Sequence, residues 1–362
     1  MATTETHSGA VLEVDLAAIA ANWHALRARH PGGEVGAVVK ADGYGLGAEA
    51  VARRLAGEGC RCFFVATPAE ALALRAVLPE PVIVTLNGLA DAAAALAEAA
   101  ITPALASLGE VAAWAGEGRR RGRRLPALLH LDTGMSRLGL DQAEQDALAA
   151  DPSPLDAIAL RGVMTHLVAA ERPDDPLNAQ QLARFAAARA RLPPAPASLA
   201  NSSGLFLGPA FATDLARPGA ALYGINPTPD RPNPMRPAVR LRARVLQVRA
   251  VAAGASVGYN ATWRTARPAR IATLAIGYAD GWPRALSGRG AAYFDGEAAP
   301  LVGRVSMDLT TCDVTGLAPV RPGDWAELIG PHAPLDAVAA AAGTIGYEIL
   351  TGLGPRIARV TA

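Results

Sequence analysis

The segment Val38-Val-Lys-Ala-Asp-Gly-Tyr-Gly-Leu-Gly47 closes a short apolar run and opens a helical pattern. An apolar run that passes through a glycine-rich turn into a helix is the start of a βα unit. The pattern repeats. With the first run at 36–40, further runs fall at 62–66, 81–86, 101–106, 127–132, 160–166, 197–201 and 213–217. Helical windows lie between them, among them 48–58, 68–78 and 178–192. Short apolar runs alternating with helices predict a parallel sheet, and eight such units predict a closed (β/α)8 barrel of the TIM type. The barrel is expected over residues 1–230.

Beyond it the texture changes. Pro227, Pro229, Pro232, Pro234 and Pro237 predict a stiff linker. β-like segments with turn signals follow at 241–251, 270–276, 298–302 and 325–329. A helical pattern resumes at 334–350, where the proline suits a first helical turn. Residues 238–362 are therefore expected to form a smaller, mainly β domain.

Composition excludes several classes. In 362 residues, 34 basic side chains against 33 acidic ones leave a net charge of +1, without the basic excess of a nucleic-acid binder. The arginine-rich stretch 119–124 reads as the solvated last turn of a helix. Cys60, Cys62 and Cys312 are an odd number without framework spacing, which argues against disulfides. Cys60-x-Cys62 lacks a second ligand pair, so no metal site is expected. Residues 1–7 have neither the basic region nor the apolar core of a signal peptide. No run of ~18 uncharged apolar residues predicts a membrane span. The expected compartment is the cytoplasm.

One count outweighs these. Lys40 is the only lysine; the other 33 basic residues are arginine. Arginine is never deprotonated and forms no Schiff base, so a lysine kept where arginine serves everywhere else marks a need for a primary amine. Lys40 also ends a proposed barrel strand, as do Asp132, His166, Asn201 and Arg217. Barrel enzymes build their active sites at those strand ends. A competing reading takes Gly43-x-Gly45-x-x-Ala48 as a dinucleotide fingerprint and the chain as an NAD oxidoreductase. That fingerprint needs an acid closing the second strand, and Val65-Ala-Thr-Pro68 has none before Glu70.

Eight ordered blocks resemble the alanine racemase family. In the first domain they are Val39-Lys-Ala-Asp-Gly-Tyr-Gly45, Leu131-Asp-Thr-Gly-Met-Ser-Arg-Leu-Gly139, Met164-Thr-His166, Ala200-Asn-Ser202 and Arg217-Pro-Gly-Ala-Ala-Leu-Tyr-Gly224. In the second they are Val257-Gly-Tyr-Asn-Ala-Thr262, Gly277-Tyr-Ala-Asp-Gly281 and Gly303-Arg-Val-Ser-Met-Asp308. The resemblance covers nearly the whole chain and implies a barrel followed by a β domain. It further implies pyridoxal 5'-phosphate held on Lys40, a small amino-acid substrate, and racemisation of alanine that supplies D-alanine for peptidoglycan.

The resemblance also assigns roles. Lys40 is the base facing the D-enantiomer's proton, and Tyr259 the base facing the L-enantiomer's. His166 and Arg217 form the network around Tyr259, with Arg217 on the pyridine nitrogen. Tyr44, Asn201, Ser202, Gly219, Ala220 and Tyr278 surround the phosphate. Arg137 and the Met307 backbone take the substrate carboxylate, with Asp308 in support. Tyr259, Tyr278 and Met307 are expected to reach a partner's barrel in a homodimer.

Two positions depart from the family pattern. Where some members carry a carbamylated lysine seven residues before the substrate arginine, this chain has His130. Arg137 must then be positioned by another group, a bound anion among the candidates. Pro355 falls where some members have a further phosphate-side tyrosine. That leaves open a broader racemase accepting serine or larger side chains. A non-catalytic pyridoxal-phosphate carrier would share the barrel and lysine but end near residue 235, and the second domain with Tyr259 opposes it.

Overall fold

The computed structural model describes residues 8–361 and divides them into two compact units. One comprises Ile19–Leu222 and Asn226–Arg236. The other comprises the described residues up to Ala18, Tyr223–Ile225 and the chain from Pro237 on. The leader reading of residues 1–7 lies outside the described residues.

The first strand corrects the expected domain boundary. β1 (Ala10–Val14) does not enter the barrel; it runs antiparallel to Val239–Val251 and parallel to Ala358–Thr361. Its side chains are buried apart from the half-buried Glu13, which pairs with Arg242 across the sheet. A five-residue apolar strand carries no mark of a partner more than two hundred residues away, which is why the sequence did not place it.

The barrel unit opens with β2 (Glu34–Val35) and β3 (Ala37–Val38), one strand interrupted at Gly36. A Cβ at Gly36 would lie 2.8 Å from the Cys62 carbonyl oxygen and from the Phe64 ring, so glycine lets this strand press on its neighbour. β4 (Cys62–Val65), β5 (Val82–Thr85), β6 (Thr102–Leu105), β7 (Leu125–His130), β8 (Ile158–Met164) and β9 (Ala197–Ser198) follow. From β3 to β9 each pairs with the next in parallel. β10 (Leu215–Ala216) pairs with β2, and the Arg217 N–H donates to the Ala200 carbonyl at 2.8 Å, which closes the ring. All eight runs read from the sequence are strands, and β4 and β6 are buried at every residue, as parallel strands covered on both faces must be.

Helix starts are set by side-chain caps. Thr67 and Glu70 form a capping box before Pro68–Val77, Asp141 and Glu144 another before Gln142–Ala150, and Ser107 caps Leu108–Arg120. The arginines after that last helix do more than face solvent. Arg121 pairs with Glu117 at 2.5 Å and with Glu98 at 2.8 Å, and Arg124 donates to the Ile158 carbonyl at 3.0 Å. The proline-rich segment is not a free spacer either. Residues 226–236 belong to the barrel unit, where the Asn22 amide donates to the Arg236 carbonyl at 2.9 Å and accepts the Arg236 N–H at 2.7 Å.

In the second unit β11 (Val239–Val251) is the spine. Around it lie β12 (Ser256–Val257), β13 (Trp263–Arg264), β14 (Ala269–Leu274), β15 (Ala291–Phe294), β16 (Glu297–Pro300), β17 (Thr310–Asp313), β18 (Trp325–Ile329) and β19 (Ala358–Thr361). The main order is β16-β15-β18-β11-β1-β19, and the far half of β11 pairs with β14, which pairs with β17. Val239, Leu241, Ala243 and Val245 alternate inward along β11. The helical pattern at 334–350 becomes two helices, Leu335–Ala342 and Gly346–Gly352, because Gly343 takes a left-handed φ of 73° between them. Among the described residues, no helix is long and apolar enough to cross a membrane.

Candidate active site

Lys40 leaves β3 and opens the turn Lys40–Tyr44. Ala41 and Asp42 (φ 52° each), Gly43 (62°) and Tyr44 (58°) are all left-handed. Outside glycine that conformation costs roughly 1–2 kcal/mol per residue, so the surroundings must hold it. They do. Asp42 Oδ1 accepts the Ala48 N–H at 2.8 Å, Glu70 Oε1 accepts the Ala41 N–H at 2.7 Å, and the Gly45 N–H donates to the Ala41 carbonyl at 2.8 Å. The glycine-rich stretch therefore builds a left-handed turn that returns Tyr44, buried, to the strand ends. Burial lowers the pKa of Lys40, the charge of Arg137 lowers it further, and Glu70 opposes both.

Arg217 ends β10 and is 3% exposed. Its Nη1 donates to Ser198 Oγ at 2.5 Å and its Nη2 to the Thr165 carbonyl at 2.7 Å. Neither partner is charged. Burial brings its pKa down to about 10, so it remains a cation at neutral pH. A buried guanidinium fixed by neutral acceptors is costly to keep and presents a donor to whatever acceptor enters the site.

Two histidines lie in its field. Burial and the charges of Arg217 and Arg137 push His166 down to about 3, with His130 and Lys40 adding to the shift. Burial and Arg217 push His130 down to about 4. Both are neutral at physiological pH. His130 Nδ1 is buried with no hydrogen-bond partner.

The loops after β9 and β10 meet. Ser202 Oγ accepts the N–H groups of Gly219 at 3.0 Å and Ala221 at 3.2 Å, and Ala220 lies between them. A Cβ at Gly219 would lie 2.3 Å from Tyr44 Oη, so only glycine leaves room for that hydroxyl. Asn201 Oδ1 accepts the Gly204 N–H at 2.8 Å and shapes the turn Ser203–Phe206. Asp132 likewise builds its loop. Its carboxylate accepts the N–H groups of Gly134, Met135 and Ser136 at 2.8 to 2.9 Å, and Arg137 stands exposed beyond them.

The remaining candidates belong to the second unit. Tyr259 opens the turn Tyr259–Ala261 and is 67% exposed; Tyr278 and Met307 are exposed too. The Tyr278 N–H donates to the Ser306 carbonyl at 3.0 Å and the Ala279 N–H to the Met307 carbonyl at 2.9 Å, which ties their two loops together. Asp308 joins the same assembly through Arg356, whose Nη1 reaches Asp308 at 2.8 Å while its Nε reaches Asp280 at 2.7 Å. Asp280 in turn accepts the Gly277 N–H at 2.8 Å. Arg356, Asp280, Ser198, Thr165 and Glu70 were not singled out from the sequence. Thr165 and Asp280 lie within the family blocks without a role of their own, and Glu70 carries the Thr67-x-x-Glu70 capping pattern, which says nothing of Ala41.

The barrel set fits a cofactor with an aldehyde, a ring nitrogen and a phosphate. It offers one amine of lowered pKa, one buried cationic donor fixed by neutral acceptors, and a hydroxyl-lined cradle that a Cβ would fill. Among the described residues, no group of three or more histidine, cysteine or acidic side chains could hold a metal.

Comparison with known proteins agrees. Residues 14–227 match the family described as alanine racemase, N-terminal domain, and residues 238–361 the alanine racemase, C-terminal domain. An alanine racemase of Acidiphilium cryptum is 58% identical over 350 residues, 96% of this chain and 98% of that protein. A catabolic alanine racemase of Mesorhizobium japonicum is 50% identical, covering 98% of this chain and 94% of that one. The crystal structure of alanine racemase from Bartonella henselae with covalently bound pyridoxal phosphate matches with a TM-score of 0.95 at 43% identity, covering 98% of this chain and 100% of that one.

Proposed function

The chain belongs to the alanine racemase family, and from that membership we propose that it interconverts L-alanine and D-alanine with two bases, Lys40 and Tyr259. It is an amino-acid racemase that uses pyridoxal phosphate. The bound cofactor supplies the electron sink that weakens the substrate Cα–H bond.

The chain's own residues supply the rest. Lys40 holds the cofactor and then moves the proton on the D face, for which an amine of lowered pKa is suited. Tyr259 moves the proton on the L face. Arg217 would donate to the ring nitrogen and, as a cation, would keep that nitrogen unprotonated, which would disfavour side transamination. His166, neutral, completes this surround. Tyr44, Ser202, Gly219, Ala220 and Tyr278 orient the phosphate, with Asn201 shaping the loop beneath. Arg137 and the Met307 N–H take the carboxylate, and Asp308 stiffens the Met307 loop.

Tyr259, Tyr278 and Met307 are 67%, 42% and 53% exposed, and they occupy the unit that lacks the lysine. Chemistry-bearing side chains left that open suit a homodimer whose partner covers them. The expected role is D-alanine supply for peptidoglycan in the cytoplasm.

One observation carries the reading: the single lysine of the chain, with its pKa lowered, lies in the field that also includes a buried arginine fixed by neutral acceptors. Borohydride reduction of the holoenzyme, digestion and mass spectrometry should find the pyridoxyl group on Lys40. A label on the N-terminus, or no label, would overturn it.

A second reading rests on Pro355, which lies in the segment between Gly346–Gly352 and β19 and offers no hydroxyl. It predicts a wider substrate range, read from kcat/KM for L-serine against L-alanine.

A further inference from the structure

Three capping glutamates of the barrel unit share one geometry. Glu70, Glu110 and Glu144 each hold the third position of a helix, and one oxygen of each caps that helix. Glu70 Oε2 accepts from Ala66 at 2.7 Å and Thr67 at 3.0 Å, Glu110 Oε2 from Ala106 at 2.7 Å, and Glu144 Oε2 from Asp141 at 3.3 Å. The other oxygen leaves the helix and takes a backbone N–H from a preceding segment: Ala41 at 2.7 Å for Glu70, Leu89 at 2.8 Å for Glu110 and Leu108 at 2.9 Å for Glu144. Each glutamate thus stitches one loop at the strand ends to another.

What is stitched differs. Leu89 and Leu108 carry no chemistry. Ala41 is the residue after Lys40 and the first of four left-handed residues, three of which are not glycine. A turn of that kind needs an external hold.

We propose that Glu70 is the positioning residue of Lys40: by holding the Ala41 N–H it fixes the left-handed turn and so the direction in which the amine leaves β3. This rests on Lys40 being the cofactor-bearing residue. Glu70 acts through the backbone of the next residue. Its charge has a second consequence, since the carboxylate is the group that opposes burial and Arg137 at the amine.

The test compares Glu70→Gln with Glu110→Gln, a control that holds the same helix position and has the same reach onto an inert segment. Because Lys40 is the only lysine, its acylation by acetic anhydride in the apo-protein can be followed against pH by mass spectrometry, with the N-terminal amine resolved after digestion. Glu70→Gln should lower the pH midpoint of Lys40 acylation, while Glu110→Gln leaves it at the parent value. In the loaded enzyme Glu70→Gln should lower kcat by about tenfold at nearly constant KM, because a small displacement of the amine costs that much or more. Glu110→Gln should match its loss of thermal stability yet keep kcat within about twofold. Glu70→Asp keeps the charge but falls short of Ala41. It should leave the acylation midpoint near the parent's and still lower kcat, which separates charge from position. Equal acylation midpoints in the two glutamine variants, or a kcat that follows stability alone in all three, would overturn the proposal. A midpoint that moves as expected, in an enzyme whose borohydride label lies elsewhere, would instead overturn the assignment of the cofactor to Lys40.

Discussion

Lys40 and Tyr259 each lead into a left-handed turn, and the two turns are held in opposite ways. After Lys40 the chain is left-handed from Ala41 to Tyr44 and is pinned by two carboxylates, Asp42 on Ala48 and Glu70 on Ala41. After Tyr259 it is left-handed at Asn260 and Ala261. There the support is close backbone packing: a Cβ at Gly258 would lie 3.1 Å from the Arg304 nitrogen, and one at Gly303 2.7 Å from the Val257 oxygen. Burial differs as well. The lysine turn sends Tyr44 into the barrel unit, whereas Tyr259 is 67% exposed. The lesson is a division of labour. One turn belongs to a finished, cation-lined interior; the other displays a phenol on a rigid surface loop. A racemase needs proton-moving groups on opposite faces of one carbon, and a displayed group can serve a neighbour's site as readily as its own.

The sharpest way to break this comparison is complementation. Lys40→Ala and Tyr259→Phe should each lose activity by roughly 10²–10⁴-fold or more, since each removes one proton-moving group. Unfolded together and refolded, mixed dimers should contain one site with both groups and one with neither, and activity should return. If mixed dimers form by native mass spectrometry and the mixture stays inactive, the displayed tyrosine does not serve a partner.

The interior of the barrel unit should be less tolerant of chemical change than of local crowding. Arg217→Glu should lower racemisation by about 10²-fold, the scale for losing one preorganised donor. It should also increase side transamination, because a carboxyl partner lets the ring nitrogen protonate. A by-product rate at the parent level would remove the electronic role of Arg217. Gly219→Ala is a smaller disturbance. Its methyl would meet Tyr44 Oη, and an overpacking cost of ~1–3 kcal/mol should weaken pyridoxal phosphate binding by about tenfold. Equilibrium titration of the apo-protein followed by its visible absorbance would check this. Unchanged affinity would mean that the Tyr44–Gly219 contact is not part of the cradle.

Much of this was legible beforehand, for identifiable reasons. Most barrel strands are short, mainly apolar runs bounded by breakers, so local pattern located all eight. Lys40 stood out because no other lysine exists. What stayed hidden was non-local. β1 looks like any short apolar strand, and only pairing with β11 and β19 assigns it to the second unit. Thr67-x-x-Glu70 announces a helix start, but the reach of Glu70 to Ala41 depends on the packing of successive βα units. Asp132 sits at a strand end with a chemical side chain and spends it on its own loop. Arg356 appears unremarkable in sequence until the fold brings Asp280 and Asp308 to it.

His130 gives the smallest effect and tests the interior from its acid side. The buried imidazole has a folded pKa of about 4, below the 6.5 of an unfolded histidine. Between those values the unfolded chain takes up a proton that the folded one refuses. Stability is therefore full above about pH 6.5 and falls as the pH drops toward 4. For this one residue the linkage amounts to about 2 kcal/mol between pH 7 and pH 5. His130→Gln, which cannot take up that proton, should lose correspondingly less stability over the same interval, measured as the shift of the urea midpoint multiplied by the slope. His166, lowered to about 3 by its burial, adds a loss of the same sign in both proteins and does not blur the difference. Equal losses in parent and variant would show that His130 is not held neutral by the barrel unit. Catalysis adds a second reading of the same position. A neutral imidazole cannot supply the negative charge that a carbamate would offer Arg137, which stands exposed and in no described ion pair. His130→Ala should then change kcat/KM by no more than about fivefold, the worth of one neutral hydrogen bond. Added chloride should lower the KM for alanine in parent and variant alike, by supplying the anion that the chain lacks. A severe loss in His130→Ala, indifferent to chloride, would show instead that the imidazole itself positions Arg137.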